Sequence, residues 1–487
     1  MQPGAAVGNI YVVSTQSNSG KTLIAAALLR LSRARAAPFK AQNMSLNSYP
    51  AYNGGEVALA QAMQAYAAGT LPLTYMNPIL LKPMDEYRSE VIVLGRPIGA
   101  MEYSQYSKDM LSRWRVVKGS MDKLSEVYDV IVGEGAGSAY EPNITGDIAN
   151  FRPADYLDAG VYVVVDISRG GAFTSALGLY QSLIPRWRRL IRGFIINRFR
   201  GDRRLLEDAF KWLRDKTGVD VVGVVPDVPE AARFIWPEDS EAMGDFGSGR
   251  LDVAIVAYPG ISNFHEFNIL ALEDVHVRFV RWGDSLGEPD LIILPGAKNT
   301  LRAVEWLRST GLYESLRRAA GSIPILAICG GFQLLGRILS DPTGVEFGSP
   351  GHIHGLGILD IDVTYMADKI VSHSLAKPII DIGFEGPIKG YEIRRGRIIY
   401  SGAKPAFTIL ERNGQPVMEP DGYFNEESRI LGLSIHDSLS NPELRSVVIK
   451  MAGGAPRSSL DSIQMLINNI DEFSRIVKEN VYIPGFT

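Results

Sequence analysis

The sequence predicts an α/β protein of two successive domains: an N-terminal, doubly wound, mostly parallel sheet and a second α/β domain. Three observations carry this expectation. Short apolar, β-branched runs alternate with helical stretches, the pattern of parallel strands joined by helical crossovers. At 487 residues the chain is too long for one ordinary hydrophobic core. A stretch with Pro, Gly and acids but no sustained periodicity, residues 227–250, interrupts the alternation and reads as a linker. The expected divisions are therefore 1–226, the linker 227–250, 251–452, and a tail, 453–487, that looks like an amphipathic helix.

In the first domain, Asn9 to Ser14 (NIYVVS) reads as a buried strand, and STQSNSGKT then leads into a helix starting near Lys21. Further strands are expected at Ala37–Lys40, Val91–Leu94, Asp129–Gly133, Val161–Asp166, Gly193–Asn197 and Asp220–Val225. Helical stretches such as Glu56–Ala68 and Arg204–Lys216 lie between them. The turn after the first strand resembles a phosphate-binding P-loop, with Ser19 and Gly20 just before Lys21 and Thr22. Backbone N–H groups of such a turn cradle phosphates, the lysine reaches the β- and γ-phosphates, and the hydroxyl binds Mg²⁺. Ser14 stands where the first glycine of such a loop would sit.

Glu134 is delivered at the carboxyl end of the strand ending at Gly133, where open α/β sheets place ligands. A carboxylate there can hold Mg²⁺ or its waters. Asp166 and Asn197 end two more apolar strands, so polar residues at three strand ends describe the rim of a site. Each of these alone would also suit an ordinary strand-to-loop turn. PFKAQNMSLNS supplies Lys40, Gln42, Asn43 and Asn47, a run suited to a carboxylate- or amide-bearing ligand and equally to a plain polar loop. Glu56 is expected to open a helix, where an acid is favoured by the helix dipole.

The second domain centres on IPILAICGGFQLLG, which carries Cys329, the only cysteine. An apolar strand, a cysteine in a tight glycine turn and a following helix make a nucleophile elbow. The turn exposes the side chain, and the helix N-terminus favours thiolate. Without the flanking Gly330 and Gly331, a lone cysteine would read as a small buried hydrophobe. Of the six histidines, His436 follows the β-rich run ILGLSI and is the best base for Cys329. His265 and His276 read as surface or edge residues, and the His352–His354 pair has no obvious further metal ligand nearby. Gly296, in LIILPGAKNT, ends a strand in a turn that could offer a backbone N–H to an oxyanion.

Composition narrows the functional classes. Hydrophobic content of 46% and charged content of 21% suit a soluble globular protein. A net charge of -4 disfavours sequence-blind nucleic-acid binding. No apolar run approaches the roughly 20 residues of a membrane helix, and MQPGAAVGNIYVV lacks the features of a signal peptide. One cysteine excludes an intrachain disulfide framework and fits a reducing cytoplasm.

FKAQNMSLNS, GGEVALAQAMQA, MNPILLKP, EGAGS, DIAN, INRFRGD, LPGAKNT and ICGGFQLLG, in that order across both halves, resemble the cobyric acid synthase family, glutamine-dependent amidases of cobalamin synthesis. The first half is similar to dethiobiotin synthetase-type P-loop enzymes and the second to class I glutamine amidotransferases. The resemblance implies that Cys329 attacks the glutamine amide, His436 manages the proton, and backbone N–H groups near Gly296 and Gly330 hold the oxyanion. It also implies that MgATP phosphorylates a carboxylate of adenosylcobyrinic acid a,c-diamide and that ammonia then converts the acyl phosphate into an amide, at positions b, d, e and g. ATP would lie on Ser19, Gly20, Lys21, Thr22, Lys40 and Asn197, and Mg²⁺ by Thr22, Glu56 and Glu134. Gln42, Asn43, Asn47 and Lys82 would face the corrinoid. The competing readings are the sister enzyme that makes the a,c-diamide, and a P-loop switch protein with a non-catalytic amidotransferase-like module.

Some positions depart from the pattern. Ala327 replaces a glycine before the nucleophile, and Arg394 stands where the family usually has His. Ser438 occupies the place of the acid that supports the histidine in many class I amidotransferases. The family lacks that acid too, so a weak Cys–His-only glutaminase is expected, its histidine oriented by something else, such as a backbone carbonyl.

Overall fold

The structure, a computed structural model, describes residues 8–84, 86–142, 146–236 and 244–487. Residues 1–7 and 237–243, the latter inside the expected linker, lie outside the described residues. The chain divides into two compact units, one comprising Met1–Glu238 with Leu466–Thr487 and the other Asp239–Met465.

The first unit is built on six parallel strands in the order Val221–Pro226, Ile191–Phe199, Gly160–Asp166, Ile10–Ser14, Val130–Glu134 and Ala36–Phe39. The central strands are buried on both faces, which explains why they read as continuous apolar runs rather than alternating ones. Glu134 pairs in register with Val12, and Asp166 with Asn197, so the polar strand ends gather at one edge of the sheet. Most of the tail, Leu466–Thr487, belongs to this unit. Within helix Ser462–Asn480, Asp471 pairs with Arg30 at 2.6 Å, and Val481 bridges to Gly223.

Two expectations for this unit are corrected. The expected strand at Val91–Leu94 is Arg88–Val93, and it lies outside the parallel sheet. It joins Gln42–Met44, Ile79–Pro83 and Arg96–Glu102 in a separate four-stranded sheet. Leu94 and Gly95 both have positive φ, 47° and 77°, between the paired Val93 and Arg96. That is the two-residue hairpin turn matched to strand twist, so this strand pairs locally. Glu56 does not open a helix. Glu56–Ala58 is a short strand paired with Ser48–Pro50, and the helix is Leu59–Ala67. Gly54 and Gly55, both at positive φ, turn the chain back, and Glu56 N–H bonds to Gly95 O at 3.1 Å.

The second unit carries a six-stranded sheet in the order Val275–Val280, Leu251–Val256, Leu291–Leu294, Ile325–Ile328, Ile430–Leu433 and Tyr423–Asn425, with only the last strand antiparallel. A second, largely antiparallel sheet includes the long hairpin of Ile361–Pro378 and Ile388–Tyr400. Among the described residues no helix is long and apolar enough to cross a membrane.

Candidate active sites

Strand Ile325–Ile328 ends directly at Cys329, whose φ of 48° and ψ of −107° precede the short helix Gly330–Leu334. The turn, packed close to the Leu294–Ala297 backbone, does not expose the side chain as expected but leaves it buried. A side-chain-bearing residue seldom adopts such a backbone, and strain of this kind collects at functional positions. Glycine is obligatory beside it. A Cβ on Gly331 would lie 2.0 Å from Leu294 O, and one on Gly330 2.6 Å from Ala297 N. The helix start therefore packs against the backbone around Gly296. Ala327 is fully buried beneath the turn.

His436 sits just beyond strand Ile430–Leu433 and is buried. Its Nδ1 lies 2.8 Å from Glu266 Oε1, while Glu266 Oε2 accepts the Asp437 N–H at 2.8 Å. The Cys329 side chain lies close enough to the imidazole to act on its charge. Tyr391 stacks on the imidazole at 5.3 Å with the planes 19° apart, and the two residues exchange backbone hydrogen bonds. A Cβ on Gly296 would lie 2.7 Å from His436 Cε1, which places that turn beside the imidazole. Burial alone would lower the His436 pKa, but the charges of Glu266 and Cys329, with the hydrogen bond to Glu266, push it up to about 10.

The orienting group of His436 is thus a carboxylate, and the expected Cys–His-only arrangement is corrected to one with an acid behind the base. Glu266 comes from the 3₁₀ stretch Phe264–Leu272, 170 residues before the histidine. Its only sequence signal is an acid set among apolar residues in FHEFNIL. The placing of His265 at the surface is also overturned. It is 3% exposed, and burial, followed by the nearby His436, drives its pKa down to about 3. Phe264 and Phe267 flank it and carry the segment into the core. His276 does lie at the surface, 3.8 Å from Asp252. Arg394 is buried and pairs with Glu392 at 2.7 Å; burial opposes its charge, and Glu392, Asp421 and Cys329 together sustain it.

In the first unit, Gly20 caps the helix Lys21–Leu31 in the left-handed conformation, φ 92°. A Cβ there would meet Asn197 Nδ2 at 2.2 Å, and that same amide donates to Ser19 O at 2.8 Å. Lys21 Nζ donates to Ser14 Oγ at 3.0 Å and to Gly137 O at 3.1 Å. The serine standing in for a glycine thus holds the lysine ammonium. Thr22 Oγ1 donates to Glu134 Oε1 at 2.7 Å, and Lys40 Nζ reaches the same oxygen at 2.9 Å. Gln64, which lies in the run GGEVALAQAMQA but has no role assigned from sequence, donates to Glu134 Oε2 at 2.6 Å and to Thr22 O at 3.2 Å.

Glu56 is buried and accepts from Lys82 Nζ at 2.5 Å and Ser48 Oγ at 2.8 Å. Gln42 accepts a short hydrogen bond from the Tyr106 hydroxyl. Asn43 Nδ2 donates to Gln61 Oε1 at 2.9 Å, and Asn47 is buried beside Ser45, whose Oγ accepts its N–H at 3.1 Å. Lys21, Thr22, Lys40 and Glu134 are therefore brought together. Gln42, Asn43 and Lys82 lie on two neighbouring strands of the smaller sheet. A hydroxyl and a carboxylate oxygen 2.7 Å apart are the hard oxygen donors that Mg²⁺ prefers, so Thr22 and Glu134 fit such an ion.

The comparisons decide the family. Residues 10–235 match the CobQ/CobB/MinD/ParA nucleotide binding domain, and residues 252–444 the CobB/CobQ-like glutamine amidotransferase domain. The cobyric acid synthase of Chloroflexus aggregans is 39% identical over 483 residues, covering 97% of this chain and 97% of the relative. The chain belongs to the cobyric acid synthase family. That of Moorella thermoacetica is 41% identical, covering 91% of this chain and 88% of the relative. The probable cobyric acid synthase of Methanopyrus kandleri is 41% identical, covering 91% and 92%. Family membership extends across both units.

Proposed function

We propose that the protein is a glutamine-hydrolysing, ATP-dependent amidoligase that amidates the b, d, e and g carboxylates of adenosylcobyrinic acid a,c-diamide. The observation that carries this reading is the Cys329–His436–Glu266 arrangement, within a chain that also holds Lys21, Thr22 and Glu134 at a phosphate-binding turn.

In the second unit the Cys329 thiolate attacks the side-chain amide carbon of glutamine. The carbonyl electron pair moves onto oxygen, where backbone N–H groups of Gly296 and Gly330 stabilise it. His436, charged under the influence of Glu266, gives its proton to the leaving nitrogen, and ammonia departs from a Cys329 thioester. Water, deprotonated by His436, then cleaves the thioester to glutamate and restores the thiol.

In the first unit a substrate carboxylate oxygen attacks the γ-phosphorus of ATP, and the bond to ADP breaks. Ammonia adds to the acyl phosphate carbon, loses a proton, and expels inorganic phosphate to leave the amide. Phosphorylation is needed because a carboxylate is a poor electrophile and oxide a poor leaving group. Lys21 and Lys40 offset phosphate charge, and Ser19, Gly20 and Asn197 shape the cradle. Thr22 and Glu134 would hold Mg²⁺, which when bound screens the phosphate oxygens. Glu56, engaged with Lys82 and Ser48, is assigned to holding that lysine toward the substrate rather than to the metal. Gln42, Asn43 and Asn47 offer amides to the corrinoid side chains.

Incubating the protein with the a,c-diamide, MgATP and glutamine, then counting new amides by mass, tests the reading. Four are expected, with one ATP consumed for each. A product carrying two new amides from cobyrinic acid would point to the sister activity, and no amide from either nitrogen source would point to a switch protein.

A further inference from the structure

Two buried glutamines join the amide run at Asn43 to the carboxylate at Glu134. Gln61 and Gln64 are both fully buried and lie three residues apart on helix Leu59–Ala67, hence on one face. Asn43 Nδ2 donates to Gln61 Oε1 at 2.9 Å, Gln61 Nε2 to Gln64 Oε1 at 3.3 Å, and Gln64 Nε2 to Glu134 Oε2 at 2.6 Å.

The polarity of this chain is forced from its end. A carboxylate can only accept, so Gln64 must turn its NH₂ toward Glu134 and its oxygen toward Gln61. The same logic then sets Gln61 and Asn43. Reversing any one amide would set two acceptors or two donors face to face in a site without exposed surface, which is costly. The network therefore has one intact arrangement and discrete broken ones.

Gln64 also decides how the carboxylate points. By holding Oε2, it leaves Oε1 turned to the Thr22 hydroxyl and Lys40. We infer that Gln61 and Gln64 are positioning residues that couple occupation of the substrate side at Asn43 to metal–nucleotide binding at Glu134. This rests on the proposed substrate and nucleotide sites. A corrinoid carboxylate or amide that orders Asn43 fixes Gln61, then Gln64, and so the carboxylate that faces Mg²⁺. Affinity gained at one end must appear equally at the other. Such a device favours nucleotide binding when an acceptor is in place.

The test is calorimetric titration of the full-length protein with Mg²⁺ and the β,γ-imido analogue of ATP, with and without the corrinoid a,c-diamide. Gln61→Met and Gln64→Met keep an unbranched side chain of similar length and good helix propensity. In wild type the corrinoid should tighten nucleotide binding at least about fivefold, the lower end of ordinary coupling. Gln61→Met should bind each ligand alone yet lose that coupling. Gln64→Met should weaken metal–nucleotide binding about tenfold or more even without corrinoid, as for loss of an outer-shell partner of a metal ligand. Unchanged glutamine hydrolysis and an unchanged melting profile would show that neither variant has simply misfolded. For a variant that does lose its melting transition, Gln61→Ala or Gln64→Ala is the replacement, because alanine removes the amide while keeping high helix propensity. Full coupling in the Gln61 variant, or unaltered nucleotide affinity in the Gln64 variant, overturns the inference while the proposed function stands. Wild-type protein that binds nucleotide but not the corrinoid overturns the substrate reading instead, and the Gln64 arm still judges the link to Glu134.

Discussion

Replacing Glu266 by Gln removes one charge and little volume from the group behind His436. The carboxylate makes two buried hydrogen bonds, both 2.8 Å, to His436 Nδ1 and to the Asp437 N–H. An amide has a single acceptor oxygen, so one of these bonds is lost and the remaining one is neutral. A hydrogen bond to a charged group contributes roughly 1.5–3 kcal/mol, which at about 1.4 kcal/mol per tenfold is a loss of about 10- to 150-fold in glutaminase kcat/KM. The pH profile should move as well. With Glu266 charged the histidine pKa lies at about 10, and without it burial acts to lower the value, so the alkaline limb of glutamine hydrolysis shifts to lower pH. Stability follows the same linkage. Because the folded pKa is raised above the ordinary 6.5, the histidine's contribution is fully present below pH 6.5 and is lost as pH rises through about 10. The difference in melting temperature between wild type and Glu266→Gln should therefore shrink across that window. Glutamate release measured against pH, with ammonia-dependent amidation as the control, checks this. A variant within twofold of wild type, with its alkaline limb in place, would refute Glu266 as the orienting acid.

Other substitutions separate the two chemistries. Cys329→Ala should abolish glutamine use but leave amidation from high ammonia, whereas Lys21→Ala should stop amidation from both nitrogen sources and spare glutamine hydrolysis; product mass and glutamate assays read both. Gly331→Ala would push a methyl to 2.0 Å from the Leu294 carbonyl oxygen, which is backbone and cannot swing aside. Overpacking of that kind costs about 1–3 kcal/mol or more, so a lower melting temperature together with lost glutaminase is expected. His265, its pKa lowered to about 3 by burial, stays neutral in the folded protein while the unfolded chain takes up a proton near 6.5. Its contribution is present above pH 6.5 and fades as pH falls toward 3, so His265→Gln should show a smaller drop in melting temperature from pH 7 to pH 4.5 than wild type.

What could be read in advance was whatever lies close together along the chain. The P-loop-like turn, the apolar strands ending in Glu134, Asp166 and Asn197, and the glycine-flanked Cys329 are contiguous signals, because strand, turn and helix start each depend on a few neighbouring residues. His436 was legible for the same reason, standing just past a β-rich run. Glu266 was not, since its meeting with His436 spans 170 residues and exists only once the sheet brings strand end and 3₁₀ turn together. Gln61 and Gln64 carry no assigned role within GGEVALAQAMQA until burial leaves their amides no water and Asn43, Thr22 O and Glu134 as partners. The short runs at Glu56 and Val91 misled for a related reason: local apolar pattern marks an element, whereas pairing depends on turns such as Leu94–Gly95 and on what lies across the sheet. Sequence alone thus determined the two α/β units and the glycine turn that carries Cys329, and tertiary structure decided which charges and amides stand behind them, because electrostatic and hydrogen-bond partners are chosen by distance in space.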